Sequence, residues 1–311
     1  GAGGNLAINV RVCKSVTITA NSVLSGGIAG SNGGNLYLDA RNGQGRGYGQ
    51  GSVAPMTITI SGKVEKGQAG GNGGNIYLVN ADQTDDTKQD IVNLILDGAT
   101  IDGGIVENNK TSGEAKGGNI YLVRVNAEIN DSQILNGRVV RINGVKDQQA
   151  DGGNIFVSTA AVNITGSTIT GGYATKNGGN VSCYATNLTI KGNTQIAGGF
   201  AGNNGDDLYL GTTSKVQMYS GAVGDVCQLN STGSFHLYDG TIDAIRVYNY
   251  TNSGGNYNAS FFMYGGRVNG ISFPGASSAT GSGKVVTYAG TTGFDPRTSY
   301  RGNATMLATC S

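Results

Sequence analysis

The sequence predicts an all-β fold, namely a single-stranded right-handed parallel β-helix with three short strands in each rung and irregular rungs toward the C-terminus. Two observations predict it: a Gly-Gly-Asn triplet recurs along the chain, and each copy is followed by residues that alternate as a half-buried strand does. The triplets begin at Gly3, Gly33, Gly73, Gly117, Gly152 and Gly178, with a degraded copy at Gly205. Recurrence of one such unit is typical of a solenoid.

The segment after each triplet predicts the first strand of a rung. It reads aliphatic, aromatic, aliphatic, as in Leu36-Tyr37-Leu38. Because successive side chains of a strand point to opposite faces, the aliphatic residues face a core and the aromatic residue faces outward. Stacked rungs should therefore carry a column of outward rings, interrupted by Ser182, as a candidate binding surface or as rings that simply stack on one another. Its members are Tyr37, Tyr77, Tyr121, Phe156 and Tyr209.

Two further segments complete each predicted rung. A second apolar segment, such as Met56 to Ile60, predicts a second strand, and a third segment follows a glycine pair of its own, as in Gly171-Gly172-Tyr173. The triplets lie 26 to 44 residues apart, so the longer rungs carry insertions. An antiparallel sandwich would need hairpin-linked strand pairs, whereas recurrence of the same first strand favours the helix. Its right-handed sense follows from the general preference of parallel crossovers.

The asparagine of each triplet predicts a ladder along the solenoid axis. A carboxamide both donates and accepts hydrogen bonds, so stacked amides can bond to one another and to backbone groups of the turn that no sheet reaches. We expect this ladder to be structural and not catalytic. Its members are Asn5, Asn35, Asn75, Asn119, Asn154 and Asn180.

The chain is predicted to be one elongated domain in two parts. Residues 1–230 form regular rungs, and residues 231–311 form irregular terminal rungs and a C-terminal cap of the same domain, because the triplet is missing there and aromatic residues are more frequent. Gly1 stands inside a repeat, and no preceding segment covers the open strand edges of the first rung. We expect either a missing upstream portion or a docking face there, with self-association through the uncovered first rung as one outcome.

The composition of the chain limits the classes of partner that can be expected. The 311 residues include 21 basic and 20 acidic ones, for a formal charge of +1, without a basic cluster that could follow a phosphate backbone. No stretch approaches the roughly 20 apolar residues of a membrane-spanning helix. Nucleic-acid binding and membrane insertion are therefore not expected, and no motif calls for a cofactor. Cys13, Cys183, Cys227 and Cys310 lack metal-site spacing, and Cys183 takes an inward core position, while a disulfide between coils stays open.

Two strings resemble repeats of a known class. Residues 171 to 181, Gly-Gly-Tyr-Ala-Thr-Lys-Asn-Gly-Gly-Asn-Val, and residues 198 to 204, Gly-Gly-Phe-Ala-Gly-Asn-Asn, resemble repeats of bacterial cell-surface parallel β-helix proteins, including those of gut Firmicutes. More distantly they resemble chlamydial polymorphic outer membrane proteins, whose Phe-x-x-Asn motif Phe200 and Asn203 match, and the pectate-lyase-like superfamily. The resemblance covers about residues 1 to 230 and implies the fold. Such repeats occur in adhesins and in polysaccharide-processing enzymes alike.

No catalytic or metal-binding set emerges from the sequence. The single histidine, His236, matches no hydrolase motif, and Asp206-Asp207 occupies the Gly-Asn position of the degraded repeat. A cluster of four aspartates in the third-rung insertion offers either a calcium site or a solvated loop. These are Asp82, Asp85, Asp86 and Asp90.

The function expected from these observations is that of a non-enzymatic protein outside the cell or on its surface. It is adhesin-like or self-assembling, and it presents its loops and the aromatic column to a glycan or a host-surface protein. The alternative is a β-helix that binds or processes polysaccharides as a lyase or hydrolase. The enzyme question stays open at this point, with a non-enzymatic role preferred.

Overall fold

The computed structural model describes residues 1–8, 15–40, 56–80, 92–108, 114–141, 150–228, 233–247, 249–252, 255–272, 284–287, 291–292 and 305–307. The regular elements of these residues are β-strands, and almost all of them pair in parallel with the equivalent strand of the next rung. The chain is therefore a parallel β-helix, as predicted. The right-handed sense stays a prediction.

Each of the first six rungs has four sides, here called faces 1 to 4. The strands of face 1 are Leu6–Ala7, Leu36–Asp39, Ile76–Val79, Ile120–Val123, Ile155–Ser158, Val181–Tyr184 and, in the seventh rung, Leu208–Leu210. The strands of face 2 are Ser15–Ile18, Met56–Ile60, Val92–Asp97, Asn126–Asn130, Ala161–Thr165, Asn187–Lys191, Lys215–Met218, Ser234–Leu237, Ser260–Met263, Lys284–Thr287 and Thr305–Leu307. The last four belong to rungs beyond the seventh.

Faces 3 and 4 are made of shorter strands. The strands of face 3 are Val23–Ser25, Lys63–Glu65, Thr100–Asp102, Gln133–Leu135, Thr168–Thr170 and Gln195–Ala197. The strands of face 4 are Ile28–Ala29, Gln68–Ala69, Ile105–Asn108, Arg138–Arg141, Tyr173–Ala174 and Phe200–Ala201. The sequence predicted faces 1, 2 and 4. The predicted three-strand rung is therefore corrected to four strands. Face 3 was missed because each of its strands is only three residues long and turns a single aliphatic side chain inward, between polar neighbours in Lys63–Glu65, Thr100–Asp102 and Thr168–Thr170.

Beyond Ala201 the rungs lose a side. The strand Ala222–Gln228 pairs through Val223 with face 3 of the sixth rung and through Val226 with face 1 of the seventh, so the two faces fuse into one bent strand. Thr241–Val247 and Arg267–Ser272 repeat this arrangement, and Thr291–Thr292 pairs with the last of them. A fused strand needs no turn between its halves, which explains why the triplet disappears from this part of the sequence.

Three short elements lie outside the four faces. Ala115–Lys116 and Ala150–Asp151 pair in parallel directly before two of the triplets. Asn249–Asn252 and Gly255–Asn258 form an antiparallel hairpin inserted between fused and face 2 strands.

The core is a continuous apolar column between faces 1, 2 and 3. Its rows are in register: on face 1, Ile76, Ile120, Ile155, Val181 and Leu208 follow one another along the axis, all of them buried. A second, smaller cluster lies under face 4 and contains Ala69, Val106, Ala115, Val139 and Ala150. Cys183 is a free thiol within the main column, where burial raises its pKa to about 12. Cys13 and Cys310 lie outside the described residues.

The two glycines of the triplet are required for different structural reasons. The first adopts a positive φ, +64° at Gly117, which glycine reaches without steric cost. The second lies against the next rung, so that a Cβ at Gly118 would stand 2.2 Å from the carbonyl oxygen of Gly153. The motif is therefore fixed by backbone conformation at one position and by rung-to-rung contact at the next.

The predicted asparagine ladder is present and complete in its hydrogen bonding. Asn119 Nδ2 donates to Asn154 Oδ1 at 2.7 Å and to the Leu135 carbonyl at 2.7 Å. Its Oδ1 accepts from Asn75 Nδ2 at 2.7 Å and from the Gly104 N–H at 2.8 Å. The same pattern runs from Asn5 to Asn180, and the amides from Asn35 onward are fully buried. Each buried amide thus uses both donors and both acceptor positions.

The close rung contact makes a prediction for the second glycine. Replacing Gly118 by alanine forces the backbones of two rungs apart, and we expect the free energy of unfolding to fall by more than about 4 kcal/mol. The control is Gly103→Ala, since Gly103 has no atom within 4 Å of an added Cβ, and the only cost there is that of its positive φ of +60°. It should cost only about 1–2 kcal/mol. Urea denaturation followed by circular dichroism measures both, and equal losses would contradict the contact argument.

Candidate binding surfaces

The five predicted outward rings of face 1 do lie in one column. Tyr37, Tyr77, Tyr121 and Phe156 stack with ring centroids 5.0 to 5.2 Å apart. Tyr184 fills the gap at Ser182: its ring lies 5.5 Å from Phe156 and 5.6 Å from Tyr209. Sequence reasoning missed Tyr184, although it stands two residues after Ser182 on the same side of the strand.

Much of this column is closed to solvent. Tyr77 and Phe156 are only 3% exposed and Tyr209 is 7% exposed, whereas Tyr37 and Tyr121 are half-buried. The ammonium group of Lys116 lies 4.5 Å from the centre of the Phe156 ring and 5.8 Å from that of Tyr184. The described geometry therefore favours the stacking interpretation of the column over that of an open binding surface.

A buried polar cluster covers the column at Lys116. Lys116 is paired in register with Asp151 on the next rung, and its Nζ lies 2.8 Å from Glu114 Oε2. The Asp151 carboxylate accepts hydrogen bonds from the Tyr184 hydroxyl and the Asn177 amide, both at 3.0 Å. Burial raises the pKa of Asp151, opposed by the Tyr184 hydrogen bond and the charge of Lys116. The cluster therefore contacts the stack of rings from outside, at Phe156 and Tyr184.

The raised pKa of Asp151 predicts a pH dependence of stability. A carboxyl whose folded pKa exceeds its unfolded pKa stabilises the fold at low pH, and this contribution is lost as the pH rises through the folded value. Asp151→Asn keeps an acceptor for Asn177 and removes the titration, so the unfolding free energy of the variant should fall less between the ordinary carboxyl pKa and neutrality. Urea titrations over this range test it, with Asp97→Asn at an exposed position as control. Identical slopes for Asp151→Asn and the parent would contradict the assignment.

The adjacent pair Asp206-Asp207 ends the asparagine ladder. Asp207 Oδ1 accepts from Asn180 Nδ2 and from the Gly199 N–H, both at 2.8 Å, as the ladder asparagines do. Its second oxygen, Oδ2, accepts from the Asp225 N–H at 2.9 Å. On the next rung, the ladder thus meets the backbone N–H of Asp225 instead of an asparagine carbonyl oxygen. The carboxylate of Asp207 can accept from this N–H, whereas the Nδ2 group of an asparagine could not.

Other polar atoms of this region are also engaged. Asp206 Oδ1 accepts from the Ala201 N–H at 2.8 Å, and Asp225 Oδ2 pairs with the Arg246 guanidinium. Burial raises the pKa of both Asp207 and Asp225, against the N–H donors in the first case and Arg246 in the second. Asp225 Oδ1 is buried and makes no hydrogen bond with the described residues. The carboxylates that a hydrolase interpretation would need are mainly committed to structural contacts.

The hydrogen bonds of Asp207 predict the effect of replacing it by asparagine. Asp207→Asn restores the residue of every other rung, yet it places an N–H group opposite the Asp225 N–H, and we expect the free energy of unfolding to fall by about 1–3 kcal/mol. Asp206→Asn keeps the acceptor that bonds the Ala201 N–H and serves as the matched control. Chemical denaturation of the two variants measures the difference. A variant at 207 as stable as the parent would show that the carboxylate has no special role.

A second group of rings, which the sequence did not single out, lies on the outer side of face 2. Tyr219, Tyr238 and Tyr264 each follow a face 2 strand directly and stack with centroids 4.8 Å apart at both steps. His236 and Phe262 form a parallel row, 4.7 Å apart, on the strands themselves. We call these five residues the face 2 patch. Tyr219 is 45% exposed and the other four are partly exposed.

His236 connects the two rows of the patch. Its Nδ1 lies 3.4 Å from the Tyr264 hydroxyl and its Nε2 lies 3.2 Å from Ser234 Oγ. Burial, and then the charge of Lys215, lower its pKa, which favours the neutral imidazole at neutral pH. The signal for this patch was the period-two alternation of Ser234 to Tyr238 and of Ser260 to Tyr264, but only the register between the two strands shows that their outward rings meet.

Face 4 carries a smaller aromatic row. Tyr173 and Phe200 stack at 5.3 Å, and the Arg138 guanidinium lies 4.9 Å from the Tyr173 ring centre. Phe200 is 53% exposed. Asn203, the other residue of the Phe-x-x-Asn match, donates its backbone N–H to the Lys176 carbonyl in the turn that follows.

The described residues contain no group of three or more His, Cys, Asp or Glu side chains arranged to hold a metal ion. The four aspartates of the third-rung insertion lie outside these residues. Within the part of the chain that the structure describes, no helix is long and apolar enough to span a bilayer.

Comparison with protein-family models, with curated proteins and with solved structures finds no match to this chain. The resemblance to bacterial surface β-helix repeats therefore depends on the repeat strings alone and stays a prediction.

Proposed function

We propose that this chain is a non-enzymatic structural protein of the cell surface or the extracellular space, which holds outward side chains at fixed spacing for binding. The observation that carries the proposal is the unbroken hydrogen-bonded ladder from Asn5 to Asp207. It joins seven rungs through side chains that are buried from Asn35 onward, in addition to the backbone pairing of the faces, and their hydrogen-bonding groups are used within the ladder.

Rigidity is the property that such a construction supplies. Each rung pairs in register with its neighbours on several faces, and the rows of the apolar core continue without interruption. Repeat architectures of this kind derive their stability from contacts between neighbouring rungs and present long surfaces to partners. The repeat strings at 171 to 181 and 198 to 204 support a surface location because of their resemblance to surface β-helix repeats.

Polysaccharide processing is the alternative, and the proximity of Asp206, Asp207 and Asp225 is the observation that favours it. Hydrolysis by paired carboxylates requires one to act as an acid and the other as a base or nucleophile on the substrate. Here the oxygens of Asp207 accept three hydrogen bonds, and Asp225 is paired with Arg246. These contacts support the non-enzymatic proposal over the alternative.

Incubation with polysaccharides tests whether the chain is non-enzymatic. Incubation with neutral and acidic polysaccharides should release neither new reducing ends nor unsaturated uronates, because the carboxylates are engaged within the fold. Product formation that Asp225→Asn abolishes would replace the proposal by the enzymatic alternative.

The location is tested separately, on cells of the source organism. Antibodies raised against the folded chain should label intact cells, or the chain should be recovered from the culture medium. Labelling confined to lysed cells would contradict the proposed location.

A further inference from the structure

The face 2 patch differs from the rest of its own face. The central outward row of face 2 begins with Thr17 and Thr59 and is polar up to Gln217, apart from Ile95. It then changes to His236 and Phe262 on the next two rungs. The row continues to the buried Val286 on the rung after Phe262, so the rings lie between a polar stretch and an apolar, buried position.

The tyrosine rings of the patch repeat at the rung spacing. Tyr219, Tyr238 and Tyr264 are parallel within 9°, with centroids 4.8 Å apart at both steps. Tyr219 is 45% exposed, and Tyr238 and Tyr264 are partly exposed. The patch therefore presents apolar ring surface at a regular interval along the axis.

The patch is too small for a stable protein interface. Its ring centroids span two steps of 4.8 Å along the axis and two rows about 7 Å apart, so the patch covers on the order of 200 Å² once the width of the rings themselves is added. A stable protein partner buries about 800 Å² on each side. Two or three pyranose rings of an extended glycan fit this area, and their repeat along the chain is close to the rung spacing.

The chemistry of the patch also fits a sugar. Pyranose rings offer C–H groups that pack on aromatic surface and hydroxyl groups that need partners at their rims. The patch supplies both, through its rings and the hydroxyls of Tyr219 and Tyr238, with the exposed Gln217 amide next to it. The imidazole of His236 is held between the Tyr264 hydroxyl and Ser234 Oγ and contributes mainly its ring. None of its five residues is a carboxylate. The exposed Asp239 follows Tyr238 directly and the charge of Lys215 acts on His236, so a charge of each sign lies beside the patch.

We propose that the face 2 patch binds a short segment of a neutral glycan that lies along the solenoid axis across the three rungs of Tyr219, Tyr238 and Tyr264. The proposal rests on the non-enzymatic binding role and adds the ligand class and the surface. Tyr238, at the centre of its row, and His236, which bonds toward Tyr264, are the residues expected to contribute most.

Isothermal titration of the full chain with hexasaccharides of β-linked glucose, xylose and mannose tests the proposal, with a galacturonic acid hexamer as the acidic comparison. At least one neutral hexamer should bind, and Tyr238→Ala should weaken its binding by about tenfold or more. His236→Gln, which keeps one donor and one acceptor, should weaken it less. Tyr173→Ala removes a similar half-buried ring from face 4 and should leave the affinity within about twofold.

Three outcomes overturn the proposal, provided that thermal melts show the variants to be folded. One is binding of the acidic hexamer alone, or of none of the four. Another is neutral binding that neither Tyr238→Ala nor His236→Gln weakens. The third is a concentration-dependent dimer in sedimentation that Tyr238→Ala dissociates, which would make the patch a contact between copies. None of these results yields reducing ends or alters surface labelling, so the non-enzymatic role would stand or fall separately.

Discussion

The structure depends on one constraint: the carboxamide at each Gly-Gly-Asn turn must meet the carboxamide of the next rung. The bond between Asn119 and Asn154 fixes where one rung lies above another, and the close approach of Gly118 to the Gly153 carbonyl allows no slack in that position. In the rungs that carry the triplet, every row of side chains, apolar inside and polar or aromatic outside, lies in the register that this contact fixes. Insertions between faces 1 and 2 are tolerated because they leave the turn untouched.

The ladder also has a direction. Each Nδ2 group donates to the next rung toward the C-terminus. The last member of the ladder must therefore accept a hydrogen bond from Asn180, but it has no further asparagine to which it could donate. Asp207 meets this requirement, and its second oxygen takes the Asp225 N–H where faces 3 and 1 fuse. The change from asparagine to aspartate therefore marks a change of rung geometry. What looks in the sequence like the decay of a repeat is the point at which a four-sided rung gives way to one whose faces 3 and 1 are joined without the Gly-Gly-Asn turn.

The sequence was sufficient for the fold class and the ladder because both depend on local, repeated residues. Glycine at a positive φ and an amide with four hydrogen bonds leave a signature in every rung. Face 3 has no comparable sequence signature. A single aliphatic residue between polar ones, such as Val64 or Ile101, does not distinguish a strand from a loop. The enclosure of the face 1 column at Phe156 and Tyr184 was also beyond reach, because it involves Lys116 and Asp151, which precede their triplets outside the repeated motif. Register between Ser234–Leu237 and Ser260–Met263, set only by stacking, decided that His236 and Phe262 meet.

Stacking in register gives aromatic residues two different fates in this molecule. On face 1, Tyr77 and Phe156 are buried and Lys116 lies against the Phe156 ring, so these rings add to the stability of the rung contacts much as core residues do. On face 2 the strands beyond Gln217 have no such flanking cluster among the described residues, and rings at the same rung spacing keep part of their surface in contact with water. Translational repetition thus generates the row, while the elements beside it decide whether the row stabilises the fold or presents a surface. The same reasoning explains why an aromatic pattern in a solenoid sequence does not by itself indicate a binding site.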